Sequence, residues 1–427
     1  MVTHLLPLPA DQRTAEGHLG RLSPEQMIKL SELWTAVLDV FRRDQFPGKE
    51  DSKEAPAAKK ASFGGWLSGG ARREKAPETD EKQSPEKLDP HHLLEITPFD
   101  IQRSFWECTF KELPDQILLR YLRARKWNVE AALQLLISIE KFHIEENIPE
   151  LIAQGELGME KHFKATGEKG WRESFEVSKG YLHGVDKWNR PICFVDVKNH
   201  FRSHTDEEPL KKSTLLKFEM QRSLLEPPVE TFCIVFNLSN VAMVNLDLDL
   251  ARFIVTCCEA YYPESLGLLI IHNAPWFFGA VWRIIKLWFD PVVASKIRFT
   301  SNVGELLQFV DQEYLPANLV GGDDEGYRWV YPPPVEGEND LLQDTETRNT
   351  LLKERHAIIE DFEDLTGKWC AAMKSGDRQK ADELWKARAE LGSRIRQAYC
   401  DLIPYMRGKT YLDRLSPTKT EISAEEL

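Results

Sequence analysis

The chain has 427 residues, 42% of them hydrophobic, enough to bury a sizeable core in more than one structural unit. Its formal net charge is -13. That argues against nucleic acid as a partner, because a duplex binder needs a basic face to replace counterions, and it leaves any approach to an anionic membrane to local apolar or basic patches.

In chain order, the N-terminal residues lack the basic-then-apolar arrangement of a secretory leader. No apolar run reaches the roughly 20 residues a bilayer span requires. The spacing of Met27, Leu30, Leu33, Trp34, Val37 and Phe41 predicts a helix over 23–43, with Ser23 as cap, Pro24 at the first helical position and Gln26 completing a capping box. Residues 46–89 are rich in Lys, Glu, Pro, Ser and Gly and read as a disordered linker. Within it, KKASFGGWLSGGARR (59–73) sets Phe63, Trp66 and Leu67 between Lys59-Lys60 and Arg72-Arg73. A solvated linker is the plain reading, and a weak membrane-surface contact is the alternative.

Residues 93–155 carry helical periodicity, with Asn128 placed to cap the second of two helices in ILLRYLRARKWNVEAALQLLISIEKF. The pattern then changes. The apolar runs at 192–197, 231–238 and 266–273, with a shorter one at 297–300, have strand length and continuous apolarity, so they read as strands covered on both faces. Helical patterns at 210–225, 246–261 and 276–289 separate them, which predicts an α/β layer with parallel pairs. Beyond Pro332–Pro334 the chain is helical and charged. Leu351, Ile358, Phe362 and Leu365 form one apolar face, and Leu384, Ala387, Leu391, Ile395 and Tyr399 form another. They predict a two-helix hairpin turning near Ser375-Gly376-Asp377.

The seven cysteines are irregularly spaced, without a C-x-x-C pair, and read as reduced, buried thiols of a cytosolic protein. No metalloprotease, P-loop or nucleophile-elbow pattern is present, so the sequence carries no constellation for an enzyme. Asp247 and Asp249 could suggest a metal, but Asn245 or Asp247 reads better as a helix cap. His91-His92 reads as a solvated pair, and His272 as a satisfied histidine at a strand end. WFFGAVWRIIKLWFDP (276–291) is apolar around nearly its whole circumference, the mark of a buried helix. Its tryptophans and its Arg283 and Lys286 fit equally a helix that covers an apolar pocket and meets lipid.

LLRYLRARKWNVEAAL (118–133) resembles the N-terminal helical motif of the CRAL-TRIO, or Sec-fourteen-like, lipid-transfer family. YYPESLGLLIIHNAPWFF (261–278), LWFDPVVASKI (287–297) and YLPANLVGG (314–322) resemble its lipid-binding domain. The flanks, including DTETR (344–348), look like the fungal CSR-type phosphatidylinositol transfer proteins. The resemblance implies an α/β fold: a CRAL-TRIO lipid-binding domain with a mixed, partly parallel sheet and a gating helix, a small helical domain before it and a helical extension after it. The implied segments are 1–45, a linker at 46–90, an N-terminal helical domain at 91–160, the lipid-binding domain at 161–335 and the extension at 336–427.

The resemblance further implies a non-enzymatic carrier of phosphatidylinositol, needing no cofactor besides its bound lipid. It would be cytoplasmic and touch endoplasmic reticulum, endosomal or other membranes transiently. Residue by residue, the headgroup site would be Arg125, Lys126, Lys296, Asp290 and Glu264. The gate would be the helix carrying Trp276, Phe277, Phe278, Trp282, Ile285 and Phe289. The cavity lining would include Phe232, Ile234, Phe236, Cys193, Leu182 and His272. Cationic side chains suit a phosphodiester in a low-dielectric site. Val293 stands where the family often has threonine, which removes one headgroup contact. Leu182, Cys193, Phe232 and Ile234 match positions of the family's phosphatidylcholine site and offer it no hydrogen bonds, so the second lipid is expected to be more apolar, such as squalene or a sterol. Two alternatives remain open: a scaffold presenting phosphatidylinositol to a lipid kinase, with a protein partner on the C-terminal helices, and a haem protein using His272 and Tyr181.

Overall fold

The computed structural model describes residues 16–43, 96–177, 179–225, 229–320 and 326–415. The linker with its Lys59-Lys60 and Arg72-Arg73 clusters, and His91-His92, lie outside the described residues. Helix α1 (Pro24–Phe41) starts at the expected reciprocal cap: Ser23 Oγ accepts from the Gln26 N–H at 3.2 Å, and Gln26 Oε1 accepts from the Ser23 N–H at 2.9 Å. Helices α2 (Pro98–Glu107) and α3 (Pro114–Ala124) also open on a proline, whose missing N–H costs nothing there. Asn128 Oδ1 accepts from the Ala131 N–H at 2.9 Å and starts α4 (Val129–Glu145). Helix α5 (Ile148–Thr166) kinks at Gly155, whose φ is 58°. A Cβ there would come within 2.6 Å of the Gly408 backbone, so the bend and the close approach both require glycine.

After the short α6 (Glu173–Glu176) comes the sheet: β1 (Tyr181–Val185), β2 (Pro191–Asp196), β3 (Phe232–Asn237), β4 (Leu266–His272) and β5 (Ile297–Thr300). The strands lie in sequence order. β1 is antiparallel to β2, and the later pairs are parallel. Parallel neighbours need long crossovers. These are α7 (Glu207–Ser223), α8 (Leu248–Thr256), and the pair α9 (Phe278–Ile285) and α10 (Pro291–Ser295). A sheet wound steadily in one direction by right-handed crossovers keeps those helices on one face. The short α11 (Val303–Leu306) and α12 (Ala317–Val320) follow β5. The hairpin α13 (Thr345–Ser375) and α14 (Arg378–Met406) turns at Gly376, in the left-handed conformation, and α15 (Tyr411–Leu415) ends the described chain.

The fold is the α/β arrangement with flanking helices that the sequence predicts, with three differences. Strand β1 was not expected: it is short, and it is irregular between Leu182 and Val185, where Gly184 takes φ 62°. Helix α8 passes into a π-helical turn, Cys257–Tyr261, instead of running on as one α-helix. The third difference concerns segments that read as separate in the sequence. Leu33 and Trp34 of α1, Leu118 and Leu122 of α3, Leu136 of α4, Phe362 and Trp369 of α13 and Ile395 of α14 all belong to one core. The apolar face of the C-terminal hairpin is thus consumed inside the molecule.

At the centre of that core Arg388, fully buried, donates to Asp115 Oδ1 at 2.8 Å and to Thr366 Oγ1 at 2.8 Å, with its guanidinium 4.3 Å from the Trp369 ring. Trp34 Nε1 donates to the same carboxylate oxygen at 2.6 Å. Removing Asp115 leaves a buried cation unpaired, which typically costs about 3–5 kcal/mol. Asp115→Ala should therefore lower the urea midpoint far more than the double change Asp115→Leu with Arg388→Met, which replaces both charges with apolar chains. Equal midpoints for the two variants would show that the pair does not hold the hairpin to α1 and α3.

Candidate functional site

Between the crossover helices and the sheet lies a cavity with about 220 Å3 of open space. Its apolar walls and few polar groups suit an apolar ligand. Side chains alternate along a strand, which fixes the floor: Cys193 and Val195 from β2, Ile234 and Phe236 from β3, Leu269 and Ile271 from β4. Helices α7 and α8 supply two walls, including Leu210, Phe218, Leu250 and Ile254. Phe278, Val281, Trp282 and Ile285 of α9, with Phe289 beyond it, close the remaining side. The lining is apolar over nearly its whole extent.

Of the residues predicted to line this space, Cys193, Ile234 and Phe236 do. Leu182, Phe232 and His272 do not, and alternation or packing explains each. His272 falls on the opposite side of β4 from Leu269 and Ile271, is buried, and has Nδ1 2.8 Å from Thr300 Oγ1. Phe232 packs edge-on against Phe218, with centroids 6.1 Å apart, and lies outside the lining. Leu182 lies outside the lining, and its N–H donates to Tyr411 Oη at 2.8 Å. Tyr181, buried, stacks on Trp329 at 4.9 Å. Neither His272 nor Tyr181 reaches the cavity, which removes the two ligands on which the haem alternative rested.

The expected gate is half the length predicted and is not buried all round. Phe278, Trp282, Ile285 and Phe289 face the cavity, and Phe277 is half-buried. Trp276 is 94% exposed and Leu287 77% exposed. Ile284 and Val292 are also exposed, as are Met243, Val244 and Leu248 near the start of α8. Exposed apolar groups grouped in this way mark an interaction surface.

None of the five predicted headgroup residues lines the apolar space. Three of them are linked to it electrostatically: Lys296 acts on Cys258 of the wall, and Asp290, next to the lining residue Phe289, acts on Arg125. Arg125 ends α3 in a tight turn where Lys126 and Trp127 both have positive φ. Its neighbours are spoken for: Arg120 pairs with Glu112, and Arg123 donates to Glu230 Oε2 at 2.7 Å. Arg125 donates to the Ala124 carbonyl at 3.4 Å and has no carboxylate within 4 Å among the described residues. Partial burial lowers its pKa, and the charge of Asp290 opposes that. Asp290 caps α10, its Oδ1 accepting from the Val292 N–H at 2.6 Å and the Val293 N–H at 2.9 Å. Only its second oxygen is left to meet a ligand. Lys296 ends α10, and its charge acts on the Cys258 thiol of the cavity wall, which burial pushes up to about 12. Lys126 is exposed, and Glu264, at φ 57°, acts electrostatically on Arg123 instead.

The sequence reading missed Glu259, Lys179 and Lys217. Glu259 sits in the π-helical turn and accepts the Asp290 N–H at 2.8 Å, with burial raising its pKa. π-turns in helices recur at functional sites, but CCEAYYPE gives no local sign of one. Lys179 and Lys217 both line the cavity. Lys217 was legible, since it stands seven residues after Leu210 on the inner face of α7. Asp247 and Asp249 are both engaged: Asp247 caps α8 and lies 3.2 Å from His200 Nε2, and Asp249 accepts from Arg202 at 2.7 Å. They form a cap and ion pairs, not a metal site.

The CRAL/TRIO domain model matches residues 175–322, which hold the sheet and the cavity, and the CRAL/TRIO N-terminal domain model matches 75–138. The phosphatidylinositol transfer protein CSR1 of Eremothecium gossypii is 32% identical over 94% of this chain and 98% of its own length. The chain belongs to the CRAL/TRIO family. A CRAL-TRIO domain-containing protein of Schizosaccharomyces pombe is 34% identical over 75% of this chain and 69% of its own. The crystal structure of Sfh5 aligns with 61% of this chain and 87% of that one, at 18% identity and a TM-score of 0.38. Among the described residues of this CRAL/TRIO chain, no helix is long and apolar enough to cross a membrane.

If the cavity is open space, Ala251 on its α8 wall tolerates a larger side chain. Ala251→Phe should leave the melting temperature within a few degrees of wild type and reduce the lipid that co-purifies. In a packed interior the same change would cost about 1–3 kcal/mol, and a clear loss of stability would show that the space is filled by protein.

Proposed function

We propose that this CRAL/TRIO protein is a non-enzymatic lipid carrier that exchanges phosphatidylinositol between membranes. The single observation behind this reading is an apolar cavity with a short helix, α9, over its side and with Lys296 in electrostatic reach of its Cys258 wall. Acyl chains in the cavity leave water at roughly 0.8 kcal/mol per methylene. An anionic headgroup meets Arg125, which has donors to spare, and Lys296, while the free oxygen of Asp290 can accept from a hydroxyl. The name of the CSR1 relative, whose full length this chain matches, supports the same ligand.

Delivery requires α9 to move. Its inner face covers the cavity, and its neighbours Trp276 and Leu287 already stand in solvent. Aromatic and aliphatic groups of this kind settle into a bilayer interface, with Arg283 and Lys286 available to anionic headgroups. On that reading the membrane takes the outer face of α9 as the helix swings away, and the protein works from the aqueous cytoplasmic side on transient contact.

Arg125→Ala combined with Lys296→Ala should reduce phosphatidylinositol transfer between vesicles at least tenfold while the circular dichroism stays that of wild type. Transfer at the wild-type rate would remove the headgroup assignment.

The second lipid is expected to differ from phosphatidylcholine. Cys193 and Ile234 on the cavity floor offer a phosphodiester no hydrogen bonds. Mass spectrometry of lipid extracted from the purified protein should find phosphatidylinositol and little phosphatidylcholine. Phosphatidylcholine as a main species would contradict this account of the wall.

A further inference from the structure

The apolar cavity contains one cation that no carboxylate neutralises. Lys217, on the inner face of α7, donates from Nζ to the Ser174 carbonyl at 3.0 Å, and Nζ lies 4.3 Å from the centre of the Phe175 ring. No carboxylate lies within 4 Å of it among the described residues. The nearby charges are already matched. Lys179 has Glu173 Oε1 at 3.5 Å and donates to Thr205 Oγ1 at 3.0 Å. Glu156, whose charge reaches Lys217, is held by Arg414, by Tyr331 Oη at 2.7 Å and by the Tyr411 N–H at 2.6 Å. Cys193 opposite is a neutral thiol, pushed up to about 12 by burial. Burial, with Lys179 adding to it, lowers Lys217 to about 8, so the ammonium persists at neutral pH but at a cost.

Position adds a second constraint. Lys217 lies against Gly180 and Val195, at the β1–β2 edge of the sheet. Lys296, proposed for the headgroup, lies at the other end, between α10 and β5. With strands about 4.8 Å apart, the two ends are separated by roughly 15–20 Å. Lys217 is therefore not part of the headgroup site, and a ligand that reaches it must pass its body through the apolar space. An ammonium has three donors. One goes to Ser174, and the other two suit the paired oxygens of a carboxylate, which would also cancel the unmatched charge.

We propose that Lys217 anchors the carboxylate of a long-chain fatty acid whose hydrocarbon chain lies along the cavity. This deepens the lipid-carrier reading by naming the second ligand class, and it replaces the purely hydrocarbon ligand expected from the sequence, which would leave Lys217 buried and unpaired.

The test is competition for the lipid-stripped full-length protein, loaded with tritiated oleate, by unlabelled oleate or methyl oleate, which differ in the carboxylate charge. Oleate should compete at least tenfold more strongly than methyl oleate. Lys217→Met should bring the two within about twofold, and Lys217→Arg should restore part of the difference. Equal competition in the wild-type protein would overturn the proposal, and that comparison decides even if Lys217→Met does not fold. A preference that survives in folded Lys217→Met would overturn it as well. No membrane enters this assay. A protein that prefers oleate yet moves no phosphatidylinositol between vesicles would refute the exchange reading and leave the fatty-acid site in place.

Discussion

A dry apolar void weakens a fold. An unfilled apolar cavity costs about 24 cal/mol per Å3. Over the roughly 220 Å3 of open space here that comes to about 5 kcal/mol. The net stability of a folded domain is roughly 5–15 kcal/mol. The space between the sheet and α7, α8 and α9 is therefore more stable when something apolar fills it. On the proposed function, lipid would be a structural component as well as a cargo.

The rest of the architecture follows from that need. The steadily wound parallel sheet places its crossovers on one side, and they stand off from the strands far enough to enclose the cavity. The last crossover is broken into short pieces, α9 and α10, instead of one long helix, so one wall is held less firmly than the others. The helical unit at the other end is made rigid by the buried Arg388–Asp115 pair and the aromatic rings around it. Rigidity there matters because Arg125 hangs from the end of α3, within electrostatic reach of Asp290 at the start of α10. The C-terminal chain clasps both parts: α14 lies in the helical core, and Tyr411 donates to Glu156 on α5 and accepts from Leu182 on β1.

Much of this was legible in the sequence. Ser23, Pro24 and Gln26 announce α1, and continuous apolar runs announce β2 to β5, because local caps and doubly covered strands write themselves into composition. β1 was hidden by its length and by Gly184, and the π-turn by the absence of any composition that distinguishes it from an α-helix. The site was readable in part. Ile234 and Phe236 follow from strand alternation, but alternation also puts His272 on the other face, a consequence that needs the register of β4 against β5. Which arginine of Arg120, Arg123 and Arg125 is free depends on Glu112 and Glu230, which are distant from one another in sequence. Lys217 shows the converse: its spacing from Leu210 placed it on the inner face, but only the fold reveals that its surroundings contain no matching acid.

The central claim, that a lipid completes this fold, is tested most directly by hydrogen–deuterium exchange on the protein before and after its lipid is stripped with a hydrophobic resin. The account predicts that amides of α8 and α9 exchange at least tenfold faster in the stripped protein, while those of α13 and α14 are unchanged. Exchange in α8 and α9 that is the same in both preparations would mean that the cavity needs no occupant, and the claim would fail.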